Sequence, residues 1–560
     1  MRFMIGIDLG TTNSLVAILD GGEPRTLANE FGEDLIPSAV AISEDGVILV
    51  GRAAKDRLIA VPDSGRAFFK RDMGTDATYH FGGRQWSPVE CSAVVLREMK
   101  RIAEFHLGRE VTSAVITVPA YFHDPQRQAT IDAATLAGLK VERLLNEPTA
   151  AALAFGFRAS SELSTLLVFD LGGGTFDVTV LEAFEGVVEV KASAGESRLG
   201  GEDYTDALDQ RLRQKLGLEL ADGLRLRWRE EVEKVKRRLT SEAKVVVELD
   251  DCRAEITRED FAEVTKALTG RLIPTVKKAM RDASLTPGHL DALLMVGGAS
   301  RMPVVADVLQ AQLGVRLLDN LDPDRVVALG AAVQQGLIAG DAAVRELVLT
   351  DVCPHTLGVA VARRLGRDQI EPGFFEPLIE RNTMVPCSFT KSFFTFHPEQ
   401  DEVLLQVFQG ESRLVAANRL IGELRITGLK SMPGQRHPGA VDVRFSYDMN
   451  GLLEVDVTIV ETGRRTSRVF EQRPGMLSPQ QIEEALRILQ PLKVLPRDQP
   501  QHRARIERAN RLYCEMTGGL RDSLAGLVDA FESALHSQNP AAIRQAAEEL
   551  DEFVKPFADS

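Results

Sequence analysis

The sequence is poor in cysteine, and the cysteines it has are isolated from one another. Five of them are spread over 560 residues, at Cys91, Cys252, Cys353, Cys387 and Cys514. They form no Cys-x-x-Cys pair, which argues against a zinc site or a dithiol redox motif. A sparse and odd-numbered set is typical of buried free thiols in a reducing compartment.

Long apolar runs and an excess of basic charge are also lacking. No apolar run is long enough to span a bilayer, so no membrane partner is expected. Lysine and arginine number 66 against 81 aspartates and glutamates, which gives a net charge of −15. This balance argues against nucleic acid as the main partner, because nucleic-acid binders usually present a basic surface. The first glycine turn begins at Asp8 and leaves no room for a signal peptide, so we expect a cytoplasmic protein.

Two short glycine-rich segments, far apart in the chain, nearly repeat each other. Residues 8–14 read Asp-Leu-Gly-Thr-Thr-Asn-Ser, residues 170–177 read Asp-Leu-Gly-Gly-Gly-Thr-Phe-Asp, and apolar runs flank both. Each segment therefore predicts a strand, a tight glycine turn and a second strand. Glycine lets the backbone approach a ligand closely, and the N–H groups of such turns bind anions. Two facing turns predict a grip on the phosphates of one nucleotide, and the aspartates supply carboxylates for a hard metal such as Mg²⁺.

The length of the chain predicts several domains. The first 345 residues share one kind of secondary-structure pattern and are predicted to form the first of them. Strand-like and helical stretches alternate in this region, which predicts an α/β domain. Buried strands are predicted at 114–118, 165–169 and 292–296, and helices at 91–107, 124–137, 229–241 and 326–338.

The pattern changes after this first domain. Residues 346–351 form a short apolar strip, which is either a further strand or an interdomain linker. From 352 to 475 short strands alternate with turns, which predicts a compact β-sandwich. From 476 to 560 the pattern is helical, with Ser478, Pro479 and Gln481 as a helix-start signal. The apolar stripes of this last region predict the core of a helical bundle rather than a partner surface.

Four further segments strengthen the nucleotide prediction. Lys70 follows an apolar anchor, Glu147 precedes a proline-started helix, Gly200-Gly201 opens an acidic helix, and Gly297-Gly298 ends a buried strand. Each has an ordinary explanation, such as a surface charge, a helix-dipole partner or a helix cap. A glycine turn at the end of a strand is also where a nucleotide meets backbone. Each segment is weak by itself, but their order and spacing together are specific.

This combination of motifs resembles the heat-shock protein 70 chaperones of the DnaK type, over essentially the whole chain. The motifs that carry the resemblance are residues 5–14, 118–122, 143–152, 169–177, 199–203 and 296–298 with Arg301. The resemblance implies an actin-like α/β ATPase domain with duplicated ribonuclease-H-like lobes, a linker, a β-sandwich that binds extended peptide, and a helical lid. It also implies hydrolysis of ATP to ADP and phosphate, with Mg²⁺ and K⁺ as cofactors, coupled to the binding of unfolded or client polypeptides.

The resemblance further implies roles for individual residues of the nucleotide site. Lys70 would position the attacking water, and the catalytic set would be Lys70, Glu147, Asp170 and Thr175. Asp8, Asp170 and Asp177 would surround Mg²⁺ and K⁺, largely through water. Arg237 and Arg301 would stack on the two faces of the adenine ring. The nucleotide-binding set would be Gly10, Thr11, Thr12, Asn13, Lys70, Gly172, Gly173, Gly174, Gly200, Gly201, Glu202, Glu233, Lys236, Arg237, Thr240, Gly297, Gly298 and Arg301.

Peptide binding and interdomain coupling are implied in the same way. The central peptide pocket would be lined by Phe393, Val403, Leu405 and Val441, with Phe375 and Phe396 arching over the bound chain. For these apolar residues a plain β-sandwich core is the alternative explanation. Pro119 and Arg127 would relay the nucleotide state, and a J-domain co-chaperone would act through Arg143 and Asp351.

The linker and the outer lobes depart from the usual family pattern. Thr350 stands where most members have a leucine-like residue, and the ATPase domain is short around 74–83 and 250–253. These outer lobes are where exchange factors bind in the family, so the nucleotide exchange factor stays open. The pattern, with its short lid, most resembles the shorter bacterial branch of HscC type.

Two other functions of the actin-like superfamily compete with the chaperone. A metabolic kinase predicts a catalytic aspartate in a sugar pocket and no separate β-sandwich. A filament protein predicts a chain that ends near residue 345. The segment 346–560 discriminates between these hypotheses and favours the chaperone.

Overall fold

The computed structural model describes residues 3–44, 46–156, 164–184, 187–218, 222–249, 252–318, 321–344, 347–365, 369–396, 400–429, 439–448, 451, 453–470, parts of 502–518, 519–537 and 540–557. The predicted helix start at Ser478 lies outside the described residues. Contacts divide the chain into two compact units, of which the first ends at Leu349 and the second begins at Thr350.

The first unit contains eighteen described strands and nine described α-helices. The strands are β1 (Met4–Asp8), β2 (Asn13–Asp20), β3 (Glu23–Leu27), β4 (Ile36–Pro37), β5 (Ala39–Ile42), β6 (Ile48–Val50), β7 (Gly65–Ala67), β8 (Tyr79–Phe81), β9 (Arg84–Trp86), β10 (Ser113–Val118), β11 (Lys140–Asn146), β12 (Ser164–Leu171), β13 (Phe176–Phe184), β14 (Val187–Glu196), β15 (Lys244–Leu249), β16 (Cys252–Thr257), β17 (Ala292–Val296) and β18 (Leu317–Leu318). The helices are α1 (Arg52–Ala60), α2 (Pro88–Leu107), α3 (Asp124–Leu136), α4 (Glu147–Gly156), α5 (Gly201–Leu216), α6 (Asp222–Arg238), α7 (Arg258–Asp282), α8 (Pro303–Leu313) and α9 (Val326–Ala339).

The same strand arrangement occurs twice in the first unit. We call the two parts of the unit that are built on these two sheets the first and the second lobe. In the first lobe, the sheet has the order β11-β10-β1-β2-β3, and β1 is parallel to β10 and antiparallel to β2. In the second lobe, the order β18-β17-β12-β13-β14 places β12 parallel to β17 and antiparallel to β13. A glycine turn joins the two antiparallel strands at the centre of each sheet. The predicted pair of strand–turn–strand segments is therefore confirmed.

The ends of two helices differ from the predicted ones, and local contacts explain the difference. The helix expected from residue 91 begins at Pro88, because Ser87 and Glu90 form a reciprocal capping box. The helix expected over 229–241 ends at Arg238. There Arg258 donates hydrogen bonds to the carbonyl oxygens of Leu239 and Thr240 at 2.7 and 2.8 Å. These side-chain donors satisfy carbonyls just beyond the helix end.

Helices α4 and α9 pack closely against each other and against the first-lobe sheet. Residues 150–154 of α4 are buried alanines and leucine, so this helix is apolar on all sides. A Cβ added to Gly330 of α9 would lie 1.7 Å from the carbonyl oxygen of Ala150, and one added to Gly6 would lie 2.5 Å from the backbone of Ala331. The absence of side chains at Gly6 and Gly330 therefore sets the distance between these elements.

Within the described residues, the second unit contains two four-stranded antiparallel sheets and two long helices. Its strands are β19 (Val348–Val352), β20 (Leu357–Leu365), β21 (Gln369–Ile379), β22 (Met384–Val385), β23 (Cys387–Phe394), β24 (Glu402–Gln409), β25 (Arg419–Thr427), β26 (Ala440–Tyr447), β27 (Leu453–Ile459) and β28 (Arg465–Phe470), and its helices are α10 (Gly519–Ser537) and α11 (Pro540–Val554). The four-stranded sheets have the orders β21-β20-β24-β25 and β23-β26-β27-β28, and they share one apolar core. This arrangement matches the predicted sandwich.

Part of the apolar strip at 346–351 forms a strand, and the two final helices pack on each other. The strip contains the beginning of β19, in which Asp351 lies opposite Val385 of β22. Helices α10 and α11 share a separate core that includes the fully buried Leu524 and Phe531, as the apolar stripe predicts. None of the helices in the described ranges has both the length and the hydropathy needed to cross a membrane.

The close packing of α9 against α4 yields a stability prediction. Gly330→Ala should lower the free energy of unfolding of the first unit by at least about 2 kcal/mol, because the new methyl group meets a backbone carbonyl that cannot rotate away. Gly270→Ala is the matched control: it lies inside α7, and its Cβ would meet nothing within 4 Å. The control should raise stability by about 0.5–1 kcal/mol through helix propensity. Urea unfolding measures both variants, and equal effects would contradict the packing account.

Candidate active site

The two glycine turns face each other across a cleft between the lobes. A Cβ added to Gly173 would lie 2.1 Å from Oγ1 of Thr12, and one added to Gly174 would lie 3.0 Å from Cγ2 of Thr11. The first turn is tight, because a Cβ on Gly10 would approach the carbonyl oxygen of Asn13 to 2.0 Å. The two turns therefore approach each other closely, and a side chain at Gly173 would collide with the first turn.

Most of the predicted phosphate-binding and catalytic residues line this cleft. They come from the ends of β1 and β12, from both turns, from the start of α4 and from the glycines after β17. Side chains from the beginning of α9 and from the loop before it complete the walls. The cleft residues are Asp8, Gly10, Thr11, Thr12, Asn13, Leu15, Leu35, Lys70, Glu147, Asp170, Gly172, Gly173, Thr175, Val296, Gly297, Gly298, Pro323, Asp324 and Val327.

The second glycine turn is held by the N-terminus of helix α5. The N–H groups of Gly201 and Glu202 donate to the carbonyl oxygens of Gly172 and Gly173, both at 2.9 Å. A Cβ on Gly200 would lie 2.5 Å from Gly174 N, so this contact also needs a glycine. Because the turn carbonyls are satisfied from behind, the other side of the turn faces the cleft.

Lys70 and Glu147 form a buried ion pair in the first lobe. The Lys70 Nζ donates to Oε1 of Glu147 at 2.6 Å, and only 4% of the lysine surface is exposed. The ammonium group also lies 5.6 Å from the ring centre of Phe122. A surface charge, the ordinary explanation for Lys70, does not fit this burial. The pair places the Lys70 ammonium near the carboxylates of Asp8, Asp170 and Asp177.

Three buried aspartates concentrate negative charge here: Asp8 and Asp170 line the cleft, and Asp177 lies beside Asp170 without lining it. Burial, together with the charge of Glu147, raises the pKa of Asp8 to about 7 and that of Asp177 to about 8. Burial and the charges of Glu147, Asp177 and Asp8 hold the pKa of Asp170 well above its usual range. The Lys70 ammonium offsets only part of this charge, so the site favours an additional cation.

The carboxylates fit a hydrated divalent cation better than a metal held by protein ligands alone. Within the described ranges, no three His, Cys, Asp or Glu side chains lie close enough together to bind a metal by themselves. The buried Oδ2 of Asp170 has no hydrogen-bond partner among the described residues. Magnesium usually keeps several waters and shares phosphate oxygens with its protein carboxylates. The orphaned oxygen and the excess charge therefore agree with Mg²⁺ between Asp8, Asp170 and Asp177.

The residues predicted to contact the nucleoside form a polar network at the start of α5 and the end of α6. Lys236 is buried and its Nζ contacts Glu233 at 2.7 Å, Thr205 at 2.8 Å and the carbonyl oxygen of Gly201 at 2.9 Å. Burial opposes ionisation of Glu233, but the Lys236 charge and the hydrogen bonds from Lys236 and Thr205 outweigh it and lower the pKa of Glu233. Arg237 is exposed and bonds Glu233 at 3.0 Å.

Other predicted nucleotide residues lie around this network. Glu202 is buried and pairs with Arg229 at 2.6 Å. Thr240 lies just beyond the end of α6 rather than on its face. Arg301 pairs with Asp322 and Asp324 at 2.6 and 3.0 Å. None of these three residues lines the described cleft, and whether they contact a nucleoside stays a prediction.

Several residues that support the site are missing from the sets predicted from the sequence. Thr117 donates to Oδ1 of Asp8 at 2.9 Å, and the backbone N–H of Tyr121 donates to Oδ1 of Asp177 at 3.2 Å. Ser38 donates to the carbonyl oxygen of Gly10 at 2.8 Å and so supports the first turn. Asp324 faces the cleft, and its charge contributes to the raised pKa of Asp8. Two of these residues have a sequence signal: Thr117 lies in the predicted strand at 114–118, and Tyr121 lies in the motif at 118–122. Ser38 and Asp324 have none.

The predicted relay residues of the first unit are buried and hydrogen-bonded. Arg127 donates to the carbonyl oxygen of Phe122 at 3.1 Å and to Oδ1 of Asn146 at 2.5 Å. Pro119 is buried in the same loop region. Arg143 donates to Oε1 of Gln334 at 2.9 Å, which joins β11 to α9. These bonds link the region around Glu147 to neighbouring elements within the first unit.

Four of the six predicted peptide-site residues lie together in the second unit. Leu405 and Val441 are buried in the core of the sandwich, and Phe393 and Val403 are partly buried against it. Phe393 lies directly opposite Val441 in the strand register. A peptide pocket and a plain core both fit this arrangement, so the alternatives left by the sequence remain open.

The two residues predicted to arch over a peptide, and the linker residue, lie elsewhere in the second unit. Phe375 is buried, and a Cβ on Gly358 would lie 2.8 Å from its ring. Phe396 is partly buried and its N–H donates to Gln400 at 3.3 Å. The Asp351 side chain accepts a hydrogen bond from the N–H of Val352 at 2.8 Å. The arch stays a prediction.

The raised pKa of Asp177 predicts a stability gain when its charge is removed. Its pKa is about 8 in the folded protein and ordinarily about 4 in an unfolded chain. The folded state therefore binds the extra proton between these values, and this carboxyl makes stability fall as pH rises from about 4 to 8. In EDTA without nucleotide, Asp177→Asn should raise the Tm at pH 8 by about 3 °C or more. The gain should shrink toward pH 5, and equal Tm values at pH 8 would contradict the account.

Asp20→Asn is the matched control for this measurement. Asp20 is exposed at the end of β2 and pairs with Arg25 on the surface. Its substitution should leave the Tm nearly unchanged at both pH values, because an exposed ion pair contributes little to stability.

A comparison with known protein families agrees with the geometry of the cleft. The sequence matches the model of the Hsp70 protein family over residues 4–80 and 75–557, which is nearly the whole chain. Members of this family are chaperones that hydrolyse ATP and bind ATP and ADP with Mg²⁺. The facing glycine turns, the Lys70–Glu147 pair and the buried aspartates form a site suited to that chemistry. The chain belongs to the Hsp70 family.

Proposed function

We propose that this protein is an ATP-dependent chaperone that binds extended apolar segments of unfolded or specific client proteins. Hydrolysis of ATP to ADP and phosphate would drive cycles of client binding and release. The observation that carries this proposal is the pair of facing glycine turns with Lys70, Glu147 and the aspartates between them. The second unit, with its two four-stranded sheets, supports a chaperone over a metabolic kinase or a filament protein.

The arrangement of the cleft suits phosphoryl transfer to water. The backbone of Gly10–Asn13 and that of Gly172–Gly174 would bind the phosphates from opposite sides. In the second turn the N–H of Gly172 donates to the carbonyl oxygen of Thr175 at 3.0 Å, which leaves the N–H groups of Gly173 and Gly174 for the phosphates. Bound Mg²⁺ would neutralise charge on the phosphate oxygens, and K⁺ is proposed beside it from family resemblance alone. Glu147 holds the Lys70 ammonium at 2.6 Å, where it would orient the attacking water at the γ-phosphate. Thr175 is buried at the rim of the second turn and would hydrogen-bond the same water. Positioning and charge neutralisation dominate such chemistry.

Lys70→Ala provides the test of the proposed catalytic role. The variant should bind ATP·Mg²⁺ with nearly unchanged affinity, since both glycine turns remain, but single-turnover hydrolysis should fall on the order of a hundredfold. Lys140→Ala, which removes an exposed lysine of the same lobe, is the control and should hydrolyse ATP at the wild-type rate. Unchanged hydrolysis in Lys70→Ala would remove this lysine from the catalytic set.

The second unit is proposed to bind the client, and a substitution at Val403 tests whether the peptide site lies at this residue. Val403 is partly buried, while its neighbour Leu404 is 46% exposed on the other side of β24. In the full-length protein, Val403→Phe should weaken binding of extended apolar peptides about tenfold by filling the pocket, with a Tm close to wild type. Leu404→Phe is the matched control and should bind peptide normally. A large loss of Tm in Val403→Phe would instead favour a plain core position.

Coupling between hydrolysis and client binding is proposed to depend on Asp351 and Arg143. The support is the family resemblance at these positions, and the hydrogen bond from Arg143 to Gln334, which connects β11 with α9. Asp351→Asn should bind peptide normally and keep the basal rate of ATP hydrolysis. In a steady-state ATPase assay, however, neither peptide nor a J-domain protein should accelerate its hydrolysis. Stimulation equal to wild type would contradict the role of Asp351.

A further inference from the structure

An ion pair between Arg71 and Asp203 joins the two lobes beside the phosphate turns. Nη2 of Arg71 lies 3.0 Å from both carboxylate oxygens of Asp203, and about three quarters of each side chain is buried. Arg71 belongs to the segment of the first lobe that carries Lys70. Asp203 belongs to the first turn of α5 in the second lobe. The pair therefore connects two elements that are far apart in the sequence and belong to different lobes.

Each partner of this pair is anchored to a part of the nucleotide site. Oδ2 of Asp203 also accepts the N–H of Gly200 at 2.8 Å, at the helix end that holds the second glycine turn. The Arg71 stem passes over that turn, since a Cβ on Gly174 would lie 2.9 Å from its Cγ. The Arg71 side chain thus contacts the phosphate turn through its aliphatic stem and the supporting helix through its guanidinium. Separation of the lobes would break both contacts.

A neighbouring residue makes a second, weaker connection between the lobes. Phe68 has a left-handed backbone, with φ of 59°, which is rare for a bulky residue. The guanidinium of Arg229, which pairs with Glu202 of α5, lies 6.0 Å from the centre of the Phe68 ring. The Lys70 segment is therefore flanked on both sides by contacts to the second lobe. Strained backbone of this kind persists only where the surrounding structure holds it.

We propose that Arg71 and Asp203 form a clasp that holds the lobes closed and sets the rate at which nucleotide leaves the cleft. Lys70 is held by Glu147 within the first lobe, so the clasp acts on retention of the nucleotide more than on the hydrolytic step. Arg71 and Asp203 are positioning residues in this account. The inference rests on the proposed function, because it needs a nucleotide in this cleft.

The release rate of ADP tests the clasp directly. A fluorescently labelled ADP with Mg²⁺ is displaced by excess unlabelled ATP in a stopped-flow instrument, in the full-length protein. Arg71→Met and Asp203→Asn should each release ADP about tenfold faster than wild type, and the double variant no faster than either single one. Asparagine keeps a side-chain oxygen for the Gly200 N–H, so Asp203→Asn removes the ion pair but not the cap. Single-turnover hydrolysis should stay within about threefold in each variant.

Two further variants separate the clasp from a merely structural role. Arg71→Lys should restore most of the slow release, because one nitrogen makes both contacts with Asp203. Arg101→Met removes an exposed arginine that pairs with Glu98 and Glu30 inside the first lobe, and it should leave release unchanged. Thermal unfolding of each variant shows whether it is folded.

The possible outcomes distinguish the clasp from the function on which it rests. If wild-type protein does not bind labelled ADP, the proposed function fails. If it binds and Asp203→Asn releases ADP at the wild-type rate, the clasp is wrong while the function stands. If Arg71→Met and Arg71→Lys both lose hydrolysis and Asp203→Asn does not, Arg71 contacts the phosphates directly and the clasp is again overturned.

Discussion

The first unit has to hold several mutually repelling carboxylates together in and beside its cleft. Asp8, Asp170 and Asp177 come from strands β1, β12 and β13, and Glu147 begins α4 next to them. One ammonium, that of Lys70, faces this group within 2.6 Å of Glu147. Buried charge without compensation is costly, and proteins retain it where a ligand supplies the missing charge. Burial and the neighbouring carboxylates raise the pKa of each of the three aspartates, as expected where buried negative charge is only partly compensated.

The rest of the first unit brings these carboxylates together and keeps them there. Duplicated strand–turn–strand segments bring the two glycine turns close together, next to the strand ends that carry Asp8 and Asp170. Helix α5 holds the second turn through the N–H groups of Gly201 and Glu202. The lack of side chains at Gly6 and Gly330 lets α9 approach β1 and α4 closely. A cleft that combines acidic side chains with backbone donors binds a metal and a polyphosphate together.

Local signals made much of this fold predictable from the sequence. The glycine turns could be recognised because their function and their backbone geometry need the same residues. Helix ends were less predictable: α6 ends at Arg238 because of Arg258, which lies twenty residues further along the chain. The pair of Arg71 with Asp203 and the contact of Thr117 with Asp8 join residues more than a hundred positions apart, so no local pattern reveals them. In the sandwich, Leu405 and Val441 would be apolar whether they line a pocket or fill a core.

The central claim is that the cleft binds nucleotide and Mg²⁺ as one unit. The negative charges of the carboxylates and of the phosphates repel each other unless Mg²⁺ lies with them in the cleft. Isothermal titration of ATP into the full-length protein, with Mg²⁺ and then with EDTA in its place, tests this claim most directly. The account predicts binding at one site with Mg²⁺ and affinity at least about a hundredfold lower in EDTA, since phosphate would then meet uncompensated carboxylates. Equal affinity under the two conditions would contradict it.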